Sequence, residues 1–282
     1  MSQLKHIATL WSLVQYPSPT KEWTLKQKIT AVKQAGFDGV AAGAMTELPP
    51  LLKKSGLLVT GFISTGTPAD FAPAIQANKA MGAYHINVQL ADEDTLTAEA
   101  LGLTLLMLQE GKRQGVAPAI EVHRDTCTET PEKTYALADA YQKVTGELMP
   151  MTWDFSHLAV VKHVAPKDYI RLLLTRPDLV QRAQQFHFRP FNGHHCQVPV
   201  TDGKGNLTPE VQDWLPFAEA VLKCWLDGNK NTDREIFVCP EMGPVPGGYN
   251  ISTLPNSWED ATVLRVEIDK IWQKLTKKGN YP

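Results

Sequence analysis

Cysteine is scarce: the 282 residues include only Cys127, Cys196, Cys224 and Cys239, far apart and without a CxxC pair. That spacing excludes a zinc knuckle and a disulfide framework, and it fits a reducing, cytoplasmic setting. An excess of either charge is missing as well. Lysine and arginine total 28 against 30 aspartates and glutamates, for a formal net charge of -2, and the basic residues are scattered. No footprint for a polyphosphate backbone results, so nucleic acid is not an expected partner. No apolar run approaches the roughly 20 residues that a bilayer-spanning helix requires, so no membrane embedding is expected. The apolar stretch from Ile7 to Val14, behind Lys5, is short for a signal-peptide core and has no small-residue cleavage site after it. It reads as a strand. Linkers, composition shifts and internal repeats are also lacking, which makes one domain over residues 1–282 the expectation.

What is present is an alternation. With 43% hydrophobic and 21% charged residues, the chain can bury a full core. Short β-branched or apolar runs mark candidate strands at 6–11, 38–42, 57–63, 84–89, 117–122, 151–154, 185–189 and 235–240. Between them, 24–35, 69–81, 96–114, 131–145 and 258–276 carry apolar residues at three- and four-residue spacing, as amphipathic helices do. Eight strands alternating with such helices match an α/β fold, a single (β/α)₈ TIM barrel. A doubly wound open sheet gives a similar alternation, so strand count alone does not separate the two. The longest irregular stretch, Pro190 to Pro209, contains Asp202-Gly203-Lys204-Gly205-Asn206 and follows a strand end, where barrel enzymes place functional loops.

Four metal-ligating residue types fall at the C-terminal ends of successive late strands: Glu121, Asp154, His187 and Glu241. In a closed parallel barrel these ends share one mouth. Three carboxylates brought together repel one another unless one takes a proton or a cation neutralises them. Any one of the four alone is an ordinary strand-end residue. Jointly they predict a site for one divalent ion, and an oxygen-rich set with one imidazole suits Mn²⁺ first, with Mg²⁺, Co²⁺ and Zn²⁺ as the others.

Through these residues the chain resembles the xylose isomerase-like barrels, a family of sugar epimerases, isomerases, dehydratases and apurinic endonucleases. The resemblance runs over nearly the whole chain. Its landmarks are AGFDGV (35–40), SGLLVTGF (55–62), MGAYHINVQ (81–89), EVH (121–123), WDFSH (153–157), HFR (187–189), DGKGN (202–206) and PEM (240–242). The resemblance implies the same four metal ligands, and it places Glu121 and Glu241 as proton-transfer residues with His157 and Arg189 contacting substrate oxygen. The Arg spacing is shorter than usual in the family. Ala41 stands where an acidic residue is common there, and the PFNGHHCQVPV loop matches no familiar epimerase lid.

Other residues enter on weaker signals. His123 points the same way as Glu121 from an extended chain, so it is second to the metal or faces substrate. His195, with His194 and Gln197, lies in the long loop, and His195 is retained as a substrate contact. Trp11 and Tyr249 are candidate walls of a sugar pocket, with core packing the plainer role for Trp11. Gly243 to Gly248 has neither a GxGxxG nor a Walker pattern, so no phosphate loop is read there.

The expected activity is a metal-dependent isomerisation or epimerisation of a keto sugar or polyol carbonyl compound through an enediolate. A lyase or dehydratase acting on a keto sugar or an oxidised glycoside is the alternative. An apurinic endonuclease fits poorly, because Ile63-Ser64-Thr65 and Gln89-Leu90 replace the histidines that a three-zinc cluster needs. A non-catalytic sugar-binding barrel would not need the ligand set. The expected partner is a small sugar or polyol, and self-association into a homo-oligomer is compatible with the family.

Overall fold

The computed structural model describes residues 2–230 and 232–278. Eight parallel strands close in sequence order: β1 (Gln3–Thr9), β2 (Gly39–Gly43), β3 (Leu58–Thr65), β4 (His85–Leu90), β5 (Ala117–Val122), β6 (Met151–Trp153), β7 (Gln185–His187) and β8 (Glu235–Cys239), with β8 returning to β1. Closure rules out the open doubly wound sheet and establishes the (β/α)₈ barrel. All eight predicted strands are present.

The helices around the barrel are α1 (Leu25–Gln34), α2 (Leu48–Ser55), α3 (Pro68–Met81), α4 (Thr97–Gln114), α5 (Pro131–Thr145), α6 (Phe155–Val161), α7 (Tyr169–Leu173), α8 (Pro177–Arg182), α9 (Pro209–Asn229) and α10 (Ser257–Lys278). Their starts follow capping chemistry. Thr24 accepts from the Gln27 amide N–H while the Gln27 side chain accepts from the Thr24 N–H, closing a capping box on α1. Gly82 and Gly115 end α3 and α4 with φ of 99° and 75°, a left-handed turn in which a side chain would be strained. Among the described residues no helix is long and apolar enough to cross a membrane.

The sequence pattern misses α2 and α6 to α9. Prolines at the first turn of α2, α8 and α9 look like breakers, yet there the missing N–H has no helical partner to lose. In α9 the buried Val211, Trp214, Phe217, Val221 and Trp225 do recur at three- to four-residue spacing, despite Pro216 within the helix. The first strand also stops short of its predicted end, because Leu10–Leu13 turns into a 3₁₀ helix capped by the Thr9 hydroxyl.

Packing then fixes the late strands. Phe188, Phe191, Trp214, Phe217, Phe155 and Tyr169 form an edge-to-face aromatic cluster that includes the residues just after β6 and β7, and all are buried. Such pairs contribute about 0.5–1.5 kcal/mol each beyond the area they bury. The Pro190–Pro209 segment is tied down rather than loose. Buried Asp260 accepts from the backbone N–H groups of Val200 and Thr201, and the Gln197 side chain makes a two-way bond with the backbone of Gly243.

Candidate metal centre and substrate cavity

The parallel register sets Glu121 of β5 beside Thr152 of β6, and His187 of β7 beside Cys239 of β8. Asp154 caps the start of α6 one residue past β6, its Oδ1 accepting from the Ser156 N–H at 2.9 Å. Glu241 follows β8 and donates its backbone N–H to the Phe188 carbonyl. As a result Glu121, Asp154, His187 and Glu241 each place a ligand atom within 4.8 Å of all the others. Glu121, Asp154 and His187 are buried, while the Glu241 side chain is 17% exposed.

Electrostatics at this point demand positive charge. Burial pushes Asp154 up, but the Arg189 guanidinium and His157 outweigh it and hold the carboxyl well below its usual range. Burial likewise opposes the ionisation of Glu121, and His187 with the Asn87 amide overcomes it, leaving Glu121 low at about 2. His187 is driven the other way: burial would lower it, yet Glu241 and Glu121 raise it well above an ordinary histidine. A cation among these carboxylates would satisfy the same field.

The atoms also face one another as ligands do. His187 Nδ1 lies 2.7 Å from Glu121 Oε1 and 3.3 Å from Glu241 Oε2. Yet His187 Nδ1 and Glu121 Oε1 are both buried and off the line of any hydrogen bond. Two buried polar atoms this close without hydrogen-bond geometry fit a metal ion in their midst. Three carboxylates and one imidazole are a hard, oxygen-rich donor set.

A cavity of about 680 Å³ opens above this group. His187, Glu241, Arg189, His123 and Asn87 stand on its metal side. Its lining also includes the apolar Trp11, Val14, Leu25, Met45 and Phe62. Trp11 meets Tyr249 edge-to-face at 5.0 Å, and Arg189 and Arg124 lie over the Tyr249 ring at 4.4 and 4.8 Å. Trp11 is therefore a wall residue. A Cβ on Gly243 would come within 2.5 Å of both the Trp11 ring and Tyr249 Cβ, so this glycine lets the two aromatics meet.

Other candidates stand further back. His157 and Asp154 lie beneath the cavity wall rather than on it, with His157 Nε2 3.3 Å from Asp154 Oδ2 and 3.2 Å from Arg189 Nη2. Burial, helped by Arg189, keeps His157 lowered and neutral. Arg189 pairs with Asp154, while its Nε and Nη1 have no hydrogen-bond partner. His195 does not join the group. It is exposed and its Nδ1 and backbone N–H turn to Asn192 Oδ1, because the loop folds on itself there. The residues missed from sequence are Asn87, which donates to Glu121 Oε2 at 2.7 Å, and Gln185, which meets His187 Nε2 at 2.6 Å. Strand alternation was the available signal, since Gln185 sits two before His187 and on the same face.

No family model and no curated protein matches the chain by sequence. Solved structures do match it along its length. An L-ribulose 3-epimerase superposes with a TM-score of 0.62 at 14% identity, covering 100% of both chains. The fold is that of the xylose isomerase-like barrels. A probable 3-DHS dehydratase involved in petrobactin synthesis from Bacillus anthracis gives 0.59 at 15% identity, covering 93% of this chain and 98% of that one. A xylose isomerase-like TIM barrel protein from Mycobacterium smegmatis, in complex with magnesium, gives 0.58 at 13%, covering 95% and 97%. In this barrel Glu121, Asp154, His187 and Glu241 lie at the C-terminal ends of the strands.

Proposed function

We propose that the protein is a divalent-metal-dependent isomerase or epimerase of a keto sugar or related polyol. The observation that carries this reading is the cluster of Glu121, Asp154, His187 and Glu241, of which His187 and Glu241 line a cavity large enough for a sugar. Those four residues would hold the ion, with Mn²⁺ the first candidate. When bound, the ion would supply Lewis acidity toward a substrate carbonyl and so acidify the adjacent carbon.

The remaining roles belong to side chains. Glu241 stands on the cavity wall and is the carboxylate placed to remove a proton from the α-carbon. Glu121 is held by Asn87, and its Oε1 is free of hydrogen bonds, so it is the second carboxylate, able to return a proton. Arg189 borders the cavity, and its guanidinium charge would stabilise the oxygen that gains charge in the enediolate. His157 holds Arg189 and Asp154 in register, and His123 reaches the cavity beside it, with ring centres 4.3 Å apart. Trp11 and Tyr249 close one side against bulk water.

A second reading rests on the cavity itself. Its volume, about 680 Å³, lies in the range that buries a drug-sized ligand, and much of its lining is apolar. That space suits an oxidised glycoside whose aglycone leaves from the carbon next to the enediolate, making the enzyme a lyase. Incubation of the Mn²⁺-loaded protein with a panel of ketoses and keto-glycosides in D₂O distinguishes the readings. Deuterium at the α-carbon with a stereoisomeric product supports epimerisation, and an unsaturated or cleaved product supports the lyase. Absence of both exchange and any unsaturated or cleaved product across the panel would sink both.

A further inference from the structure

Below the ligand cluster the barrel interior is polar, and one thread of side chains there accounts for how the metal-ligating histidine is set. His85 and Asn87 alternate along β4, and Gln185 and His187 along β7, so each pair shares a face of its strand. All four are buried. His187 turns Nδ1 to the carboxylates and Nε2 to the Gln185 amide at 2.6 Å.

A histidine that binds a cation through Nδ1 must be neutral there, which places its single ring proton on Nε2. That N–H needs an acceptor, and only the amide oxygen of Gln185 can provide one at the facing position. The amide nitrogen and oxygen are interchangeable by a half-turn of the group. With the nitrogen toward His187, Gln185 Oε1 and His85 Nε2 both stay buried without a partner. With the oxygen toward His187, the amide nitrogen turns to the side where His85 approaches Gln185. His85 can accept there, because its Nδ1 faces Gln184 Oε1 at 3.2 Å and takes the ring proton. Burial holds His85 neutral, lowered to about 4, so it has one lone pair to give. The same half-turn thus pairs two groups that are otherwise orphaned, Gln185 Oε1 and His85 Nε2, and leaves His187 Nδ1 free for a metal.

We infer that Gln185 is a positioning residue whose amide oxygen fixes His187 as the Nε2–H tautomer, with His85 beneath it holding the amide in that orientation. This rests on the proposal that His187 ligates a divalent ion. Carboxylate or carbonyl partners behind a ligating histidine are worth about 10–100-fold in metal affinity.

The test is Mn²⁺ binding to the metal-free full chain, followed by calorimetric titration without substrate. Gln185→Leu is expected to weaken binding by about 10–100-fold, while Gln185→Glu, which restores an acceptor, recovers most of that loss. In the unaltered protein loaded with Zn²⁺, ¹⁵N spectra of labelled histidine are expected to show His187 protonated at Nε2 and metallated at Nδ1. Equal Mn²⁺ affinity in Gln185→Leu and wild type, or a ring protonated at Nδ1, would overturn the inference while leaving the metal site standing. Should Gln185→Leu fail to fold, the ¹⁵N spectrum of the unaltered protein decides the question. Absence of saturable Mn²⁺ binding in the wild type overturns the parent proposal, and this inference with it.

Discussion

Arg189 ion-pairs with Asp154 in a region where neither side chain is more than 1% exposed. Removing one member of such a pair leaves a buried charge without its partner, which costs about 3–5 kcal/mol. Arg189→Met is therefore expected to lower the unfolding free energy by that order, read from urea midpoints at constant m. Arg189→Lys keeps the charge but not the fork geometry, and it is expected to fall between the two. Since His157 also leans on both residues, His157→Ala and Arg189→Met should be non-additive in a double-mutant cycle. Strict additivity would mean that the three side chains do not act as a unit.

The carboxylate cluster gives a second expectation. A ligand that binds only the folded state adds about 2.7 kcal/mol at a concentration 100 times its Kd. Chelation should lower the melting temperature of the wild type, and Mn²⁺ should restore it. In Asp154→Asn or Glu241→Gln the restoration should shrink, because one oxygen donor loses its charge. The same shift in wild type and variants would place the ion elsewhere.

The strand-end residues show why part of this site was legible in the sequence. Glu121, Asp154, His187 and Glu241 each end a strand in a repeating βα pattern, so closing the barrel alone brings them together. Arg189 entered only through the family resemblance, and nothing in the sequence signalled its ion pair with Asp154, which joins segments from two different strand ends. His195 shows the limit on the other side. Nothing in the loop composition says that Asn192 captures its ring and backbone, which is a matter of local turn geometry. The α9 helix was hidden because Pro209 and Pro216 read as breakers, whereas its buried Trp214, Phe217 and Trp225 supply the packing that overrides them.

Trp11 and Tyr249 form the wall that separates substrate from solvent in the proposed site. Trp11→Ala should raise KM with a smaller effect on kcat, because the ring binds ground state and transition state alike. Gly243→Ala should produce a similar defect without altering either aromatic. Its new methyl would collide with both at 2.5 Å and push them apart. Steady-state kinetics on whichever ketose proves to be turned over tests both variants. A Gly243→Ala enzyme with unchanged KM would show that the wall does not contact substrate.

His6 provides a pH dependence independent of the metal site. It is buried on β1, 3.6 Å from Asp269 on α10, and both ring nitrogens lack a hydrogen-bond partner. Burial, assisted by Arg265, lowers it from 6.5 to about 4 in the folded chain. The unfolded chain thus binds a proton at His6 before the folded chain does, so stability is full above about pH 6.5 and is lost as pH falls toward 4. At 1.36 kcal/mol per unit, the contribution reaches up to about 3 kcal/mol. His6→Phe removes the titrating group, so its unfolding free energy should decline less between these pH values than that of the wild type. Urea titrations of the metal-free proteins at pH 7 and pH 4.5 measure the difference. Parallel declines in the two proteins would mean that Asp269 compensates the proton on His6 and that acid lability originates elsewhere.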